Sequence, residues 1–117
     1  MQCIHFTEEA LTGFHLKIGE LFSIPSMPLS FFVLFNLIWI SIWILSVFGL
    51  KSGDTLALFA AWFLSIAGMF NGVLHPLLSV ASGSYFPGTV SAPLVGVASV
   101  VLWFKLKRAT VPSTRVE

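Results

Sequence analysis

The chain has 117 residues, of which 56% are apolar and 9% charged, and its formal net charge is +1. This composition excludes an ordinary soluble domain, in which about a quarter of the residues are charged. It also argues against a nucleic-acid partner, because the C-terminal basic residues form one short cluster without interleaved aromatic residues. The members of that cluster are Lys105, Lys107, Arg108 and Arg115.

The first predicted element is one N-terminal helix from Met1 to about Phe22. It combines apolar residues with three acids and two histidines, so we expect its polar side chains to face inward and its apolar ones to meet lipid or other helices.

Three membrane-spanning helices are predicted after it. Residues 21–50 and 55–104 contain no Asp, Glu, Lys or Arg, and a helix needs about 20 apolar residues to cross a bilayer. We place the spans at Leu29–Leu50, Thr55 to about Leu74 and Thr89–Phe104, with a turn from Pro76 to Gly88. The predicted fold is therefore all-α, a membrane four-helix bundle of three spans plus the N-terminal helix. It forms one domain over residues 1–108, with a disordered polar tail at 109–117.

Two groups of polar residues interrupt the apolar sequence. His5, Glu8 and Glu9 lie at offsets of three and four on one helix face, and Asn71 and His75 lie four apart on another. Ionisable groups at membrane depth are costly unless another group or an ion compensates them. The two groups are therefore candidates for a single site.

Histidine and carboxylate side chains from facing helices can bind a divalent metal such as Zn²⁺. We predict His5, Glu9 and His75 as ligands, although Glu8 can take the place of Glu9. Three protein ligands leave a position for water, and the carboxylates Glu8 and Glu9 are the candidate catalytic groups.

Simpler interpretations stay open for each of these residues. The N-terminal cluster can be solvated at the headgroup level, and Asn71 and His75 can make an ordinary interhelical hydrogen bond. Tyr85 belongs to a Pro-Gly turn that starts the last helix, and it either closes the polar pocket or only enters that helix.

Three segments follow one another in the sequence: His5-Phe6-Thr7-Glu8-Glu9, then Asn71-Gly72-Val73-Leu74-His75, and then Tyr85-Phe86-Pro87-Gly88 followed by Thr89, Ser91 and Ala92. In this order they resemble the HXXEE-domain family of uncharacterised integral membrane proteins. The resemblance covers roughly Cys3 to Phe104. It implies a membrane bundle and no particular reaction.

The topology decides whether the two groups can meet. A cytoplasmic C-terminus, favoured by its basic residues, places the loop from Pro76 to Gly88 outside. If Met1–Phe22 crosses fully, His5 lies roughly 25 Å from His75. If that helix is tilted, short or re-entrant, or if the helix of His75 continues past Pro76, the two histidines can be neighbours.

Three functions follow as hypotheses. The first is a metal site with hydrolytic or lipid-modifying chemistry. The second is a bundle that transports protons or binds a lipid or small amphipathic molecule. The third is a structural subunit that contacts the same chain or another through Gly68 and Gly72, a pair of small residues four apart.

Overall fold

The computed structural model describes residues 1–110, which form five helices and no strands. They are α1 (Gln2–Thr12), α2 (Phe14–Phe22), α3 (Leu29–Lys51), α4 (Thr55–Ser82) and α5 (Ala92–Thr110). The all-α prediction is confirmed. Helix α5 includes Ala109 and Thr110, which the sequence had assigned to the tail, and residues 111–117 lie outside the described residues.

The N-terminal segment is two helices rather than the single one predicted. Gly13 adopts a left-handed conformation with φ of 82°, and its N–H donates to the Glu9 carbonyl, which ends α1. A glycine reaches this conformation without steric cost. Neither half, of 11 and 9 residues, is long enough to cross a bilayer.

Helices α3 and α4 are long and apolar enough to cross a membrane, whereas the sequence had predicted three such spans. Only 11% of the most apolar stretch of α3 and 28% of that of α4 are buried in the protein, so neither is an enclosed core helix. Helix α5 has 19 residues, but Lys105, Lys107 and Arg108 lie in its last six.

Helix α4 continues through Pro76 to Ser82, eight residues beyond the predicted end at Leu74. It stops at Gly83, whose φ of 60° and N–H bonds to the Ser79 and Val80 carbonyls form the C-cap. The predicted turn is therefore shortened to residues 83–91. His75 lies well inside the helix instead of at its end.

Helices α4 and α5 pack through small residues. A Cβ atom on Gly72 would lie 2.6 Å from the Gly96 Cα, and one on Gly68 would collide with the Ser99 hydroxyl. The Ser65 hydroxyl also donates to the Ser99 carbonyl at 2.9 Å. The pair Gly68 and Gly72, predicted as a contact face for another chain, is therefore used within the molecule.

Aromatic contacts place α1 and α2 against α3. Phe6 stacks on Trp43 with 6.2 Å between ring centroids, and Phe14 contacts Phe32 at 5.7 Å. Residue numbers rise from α1 to α2 as they fall along α3, so the N-terminal segment as a whole runs antiparallel to α3. The turn over residues 83–91 packs against α1.

Candidate metal centre

Three buried side chains from distant parts of the chain meet beneath the turn over residues 83–91. His5 and Glu9 lie one turn apart on α1, and His75 projects from α4. The two imidazole centroids are 4.9 Å apart, well within the distance at which two histidines can share a ligand. His5, Glu9 and His75 are exposed by only 0%, 4% and 3%.

His75 is oriented by the turn that follows α4. Its Nδ1 lies 2.6 Å from the Pro87 carbonyl oxygen. Because a carbonyl only accepts, Nδ1 must carry the proton that is donated. The other ring nitrogen, Nε2, then faces Glu9 Oε1 at 3.3 Å.

His5 faces the same carboxylate oxygen. Its Nε2 lies 3.6 Å from Glu9 Oε1, beyond hydrogen-bond distance. No hydrogen-bond partner for this buried nitrogen is present among residues 1–110. A buried polar atom without a partner costs about 1–3 kcal/mol, and a cation between the three groups would remove that cost.

Burial favours the uncharged forms of these α1 side chains. It raises the pKa of Glu9 to about 8, with a further increase from the neighbouring Glu8 charge. It also lowers the pKa of His5 to about 4, with His75 contributing in the same direction. A neutral imidazole is the form that binds a metal.

The donor geometry fits a small divalent cation. One ligand atom from each of His5, Glu9 and His75 lies within 4.8 Å of the other two. Tetrahedral zinc with bonds of about 2.0–2.1 Å holds its ligand atoms about 3.3 Å apart. The two distances to Glu9 Oε1, 3.3 and 3.6 Å, are already close to that value.

Gly88 closes the cluster on the side of the turn. Its φ is 88°, and a Cβ atom built on it would lie 2.7 Å from His75 Nδ1 and 2.9 Å from His5 Cε1. The backbone therefore packs directly against both imidazoles, and only glycine leaves room for that approach. The Pro-Gly step in the sequence indicated a turn, but nothing local indicated that this turn covers a site.

Glu8 points away from the cluster toward the start of α5. Its carboxylate accepts hydrogen bonds from the Tyr85 hydroxyl and from the backbone N–H groups of Val90 and Ser91, the last two at 3.0 and 2.8 Å. Partial burial alone would raise the pKa of Glu8. Hydrogen bonds from the Ser91 and Tyr85 side chains and from the two N–H groups outweigh it and lower that pKa to about 2.

The other residues predicted for the site, Tyr85 and Asn71, are not part of the cluster formed by His5, Glu9 and His75. Tyr85 is about half exposed and lies at the rim, where its hydroxyl donates to Glu8 and its pKa is raised by burial and by that bond. Asn71 is half-buried one turn before His75, and it makes no side-chain hydrogen bond with the described residues. Ser91, which the sequence treated only as a small residue, contacts His5 through its hydroxyl at 2.9 Å.

Two apolar grooves lie elsewhere on the surface. One of about 450 Å³ between α3 and α4 includes Trp39 and Phe63, and one of about 550 Å³ between α4 and α5 includes Met69 and Val97. Neither is lined by His5, Glu9 or His75, which are almost fully buried.

Comparison with known proteins found no matching family model, no matching curated protein and no matching solved structure. The interpretation of the site therefore depends on its own chemistry.

Proposed function

We propose that this protein is an integral membrane metalloprotein that binds a divalent cation such as Zn²⁺ through His5, Glu9 and His75. One observation carries the proposal: two imidazole nitrogens and a carboxylate oxygen converge in a buried space. His75 is held by a backbone carbonyl with its Nε2 directed at Glu9. A hydrogen bond from the ring nitrogen that does not bind the metal commonly fixes the orientation of metal-ligating histidines.

The chemistry we propose for the site is hydrolysis of an amphipathic or lipid substrate. Three protein ligands leave a fourth position on a tetrahedral ion, and a bound zinc ion supplies a water molecule that ionises near neutral pH. The chain's own contribution is to hold the ligands and limit water, since Phe14 and Phe86 each lie within 6 Å of the His75 ring by centroid distance.

The membrane placement we propose puts the site at one surface of the bilayer. His75 is 20 residues from Thr55, about 30 Å along α4, which matches the hydrocarbon thickness. The basic residues at the end of α5 then lie at the opposite surface, which we assign to the cytoplasm. In this arrangement α5 is a third crossing, with α1 and α2 packed against the spans on the outer side.

We also propose membership in the HXXEE-domain family. The three segments that carry the resemblance contribute every side chain of the cluster and the turn over it: His5 to Glu9, His75, and the Pro87-Gly88 step. Distant motifs that meet at one site are what a shared function would require.

Metal content tests the proposal. Protein purified in detergent without chelators should contain about one equivalent of metal per chain, measured by inductively coupled plasma mass spectrometry. The double variant His5→Ala and His75→Ala should contain none. His15→Ala is the matched control, because His15 lies on α2 outside the cluster, and it should retain the metal.

If purified protein contains no metal and does not take up added Zn²⁺, the metal site is wrong. Metal binding without turnover would remove only the hydrolytic part. That part is tested in proteoliposomes of phosphatidylcholine and phosphatidylglycerol by following fatty-acid release with mass spectrometry. Release by the zinc-loaded protein that is lost in Glu9→Gln supports hydrolysis, and equal release by both excludes it.

A further inference from the structure

Ser91 lies between His5 and Glu8 and contacts both. Its hydroxyl oxygen is 2.9 Å from His5 Nδ1, and its backbone N–H donates to Glu8 Oε2 at 2.8 Å. The Ser91 side chain also lies beside the Glu8 carboxylate and favours its charged form. A single buried serine, 6% exposed, thus connects a candidate ligand to a carboxylate that is not itself in the cluster.

The direction of the hydrogen bonds made by the Ser91 hydroxyl depends on which groups carry a proton. A serine hydroxyl has one proton to donate, and an ionised carboxylate can only accept. Because hydrogen bonds to a charged acceptor are about twice as strong as those between neutral groups, we expect the Ser91 hydroxyl to donate to the Glu8 carboxylate rather than to His5. Toward His5 it has only lone pairs left, so the proton in that hydrogen bond must belong to His5 Nδ1.

The position of that proton determines what His5 can do. A neutral imidazole with its proton on Nδ1 has a free lone pair on Nε2, the nitrogen that faces Glu9 and has no other partner. The Pro87 carbonyl imposes the same state on His75. Both rings then direct an unprotonated Nε2 at the same space.

We propose that Glu8 and Ser91 are positioning residues that hold His5 in its Nδ1–H tautomer and so prepare Nε2 as a metal ligand. The role as a metal ligand rests on the proposed function, whereas the tautomer does not. Glu8 is then neither a ligand nor the general base, because its oxygens already accept from Tyr85, Val90 and Ser91.

The substitution Glu8→Gln tests the direction of the hydrogen bonds with little change in size. A glutamine amide can donate to the Ser91 oxygen, which frees the hydroxyl proton to point at His5 Nδ1. His5 would then move its proton to Nε2 and lose the lone pair that faces Glu9. Ser91→Ala is the second variant, since it removes the connection without replacing it.

Nitrogen NMR of metal-free protein labelled with ¹⁵N-histidine reads the tautomer directly. The chain has only three histidines, so single substitutions assign the signals. The wild type should show His5 protonated at Nδ1. Glu8→Gln should shift the population toward Nε2–H, and Ser91→Ala should give a mixture.

Zinc affinity measured by chelator competition provides the second readout. Loss of an outer-shell contact typically weakens metal binding 10–100-fold, and we expect that range for both variants. Glu20→Gln, at an exposed carboxylate paired with Lys17, and Ser41→Ala, at an exposed serine bonded within its own helix, are the matched controls. Both should bind zinc within about twofold of the wild type, since neither lies near the cluster.

The outcomes separate this proposal from the proposed function. An Nε2–H tautomer of His5 in the wild type, or an unchanged tautomer in both variants, overturns the positioning role whatever the metal content. An Nδ1–H tautomer that shifts in Glu8→Gln supports it even if no metal binds, and in that case only the metal site is rejected.

Discussion

Helices α4 and α5 are joined by close backbone packing, whereas α1 is joined to the turn over residues 83–91 by polar contacts. In the first region Gly72 and Gly96 bring two backbones together. In the second, the Glu8 carboxylate accepts hydrogen bonds from the Tyr85 hydroxyl and from the backbone N–H groups of Val90 and Ser91. The first region fixes α4 and α5 to each other, and the second assembles the proposed metal site beside them.

This difference predicts that a substitution in one region leaves the other region intact. Substitutions that push α4 and α5 apart should lower the free energy of unfolding of the whole protein, because separating the two backbones disrupts many contacts at once. Substitutions in the turn should disrupt the site while α4 and α5 stay packed together. The predictions below run from the largest expected effect to the smallest.

Gly72→Val should destabilise the protein by about 3 kcal/mol or more, because even a Cβ atom there lies 2.6 Å from the Gly96 Cα. The free energy of unfolding can be measured by SDS titration followed by circular dichroism. Ala98→Val, at an exposed position of α5, is the control and should change stability by less than about 0.5 kcal/mol. Equal effects of the two substitutions would contradict the packing assigned to Gly72.

Gly88→Ala should weaken zinc binding by about 100-fold while the helix content measured by circular dichroism is unchanged. Its new Cβ would press on both imidazoles, in addition to the strain of a φ of 88°. Gly83→Ala is a matched control, because Gly83 also has a positive φ, 60°, but nothing lies within 4 Å of its Cβ position. If both variants bind zinc equally well, Gly88 does not shape the site.

Zinc binding at pH 7 should release about one proton per ion. The pKa of Glu9 is raised to about 8, so its carboxyl is mostly protonated at pH 7 and must ionise to bind. His5, with a pKa lowered to about 4, is already neutral and releases none. Apparent affinity should therefore rise about tenfold per pH unit from pH 6 and level off above pH 8.

Calorimetry in two buffers of different ionisation enthalpy measures the released proton. A count near zero, or an affinity that does not change between pH 6 and 8, would mean either that Glu9 is already ionised in the metal-free protein or that it is not a ligand. The Glu9→Gln variant should bind zinc weakly, and the residual binding should have no such pH dependence.

The sequence predicted the spans better than it predicted the breaks between elements. Long uncharged runs locate α3 and α4 because the cost of charge in lipid is a property of the residues themselves. The helix predicted from Met1 to about Phe22 ran through Gly13, and the predicted turn began at Pro76; the structure differs at both positions. Gly13 ends a helix by its left-handed conformation, and Pro76 is accommodated within α4.

The sequence predicted that His5, Glu9 and His75 could lie together, as they do, but it did not predict that Glu8 lies apart from them. The spacing placed Glu8 and Glu9 on the same side of one helix, yet a difference of one residue turns them by about 100°. Glu9, four residues from His5, therefore enters the cluster, while Glu8 reaches the turn. The contacts from Ser91 and Gly88 to His5 span more than 80 residues, and no local pattern could have indicated them.

The smallest predicted effect is that of Tyr85→Phe, which tests whether Tyr85 closes the site or only supports its edge. The substitution removes one of the donors to Glu8 but leaves the N–H groups of Val90 and Ser91 in place. Because the Tyr85 side chain is about half exposed, water can replace its hydrogen bond. We expect zinc affinity to fall by less than about threefold and the free energy of unfolding by about 0.5–1 kcal/mol.

Chelator competition and SDS titration on the same preparation check both values, with wild type and Ser84→Ala as references. A loss of affinity as large as that of Glu8→Gln would mean that the Tyr85 hydroxyl, rather than the two backbone N–H groups, keeps the Glu8 carboxylate in place. The contact between α1 and the turn would then depend on one partly exposed side chain, whereas the contact between α4 and α5 depends on close packing of two backbones.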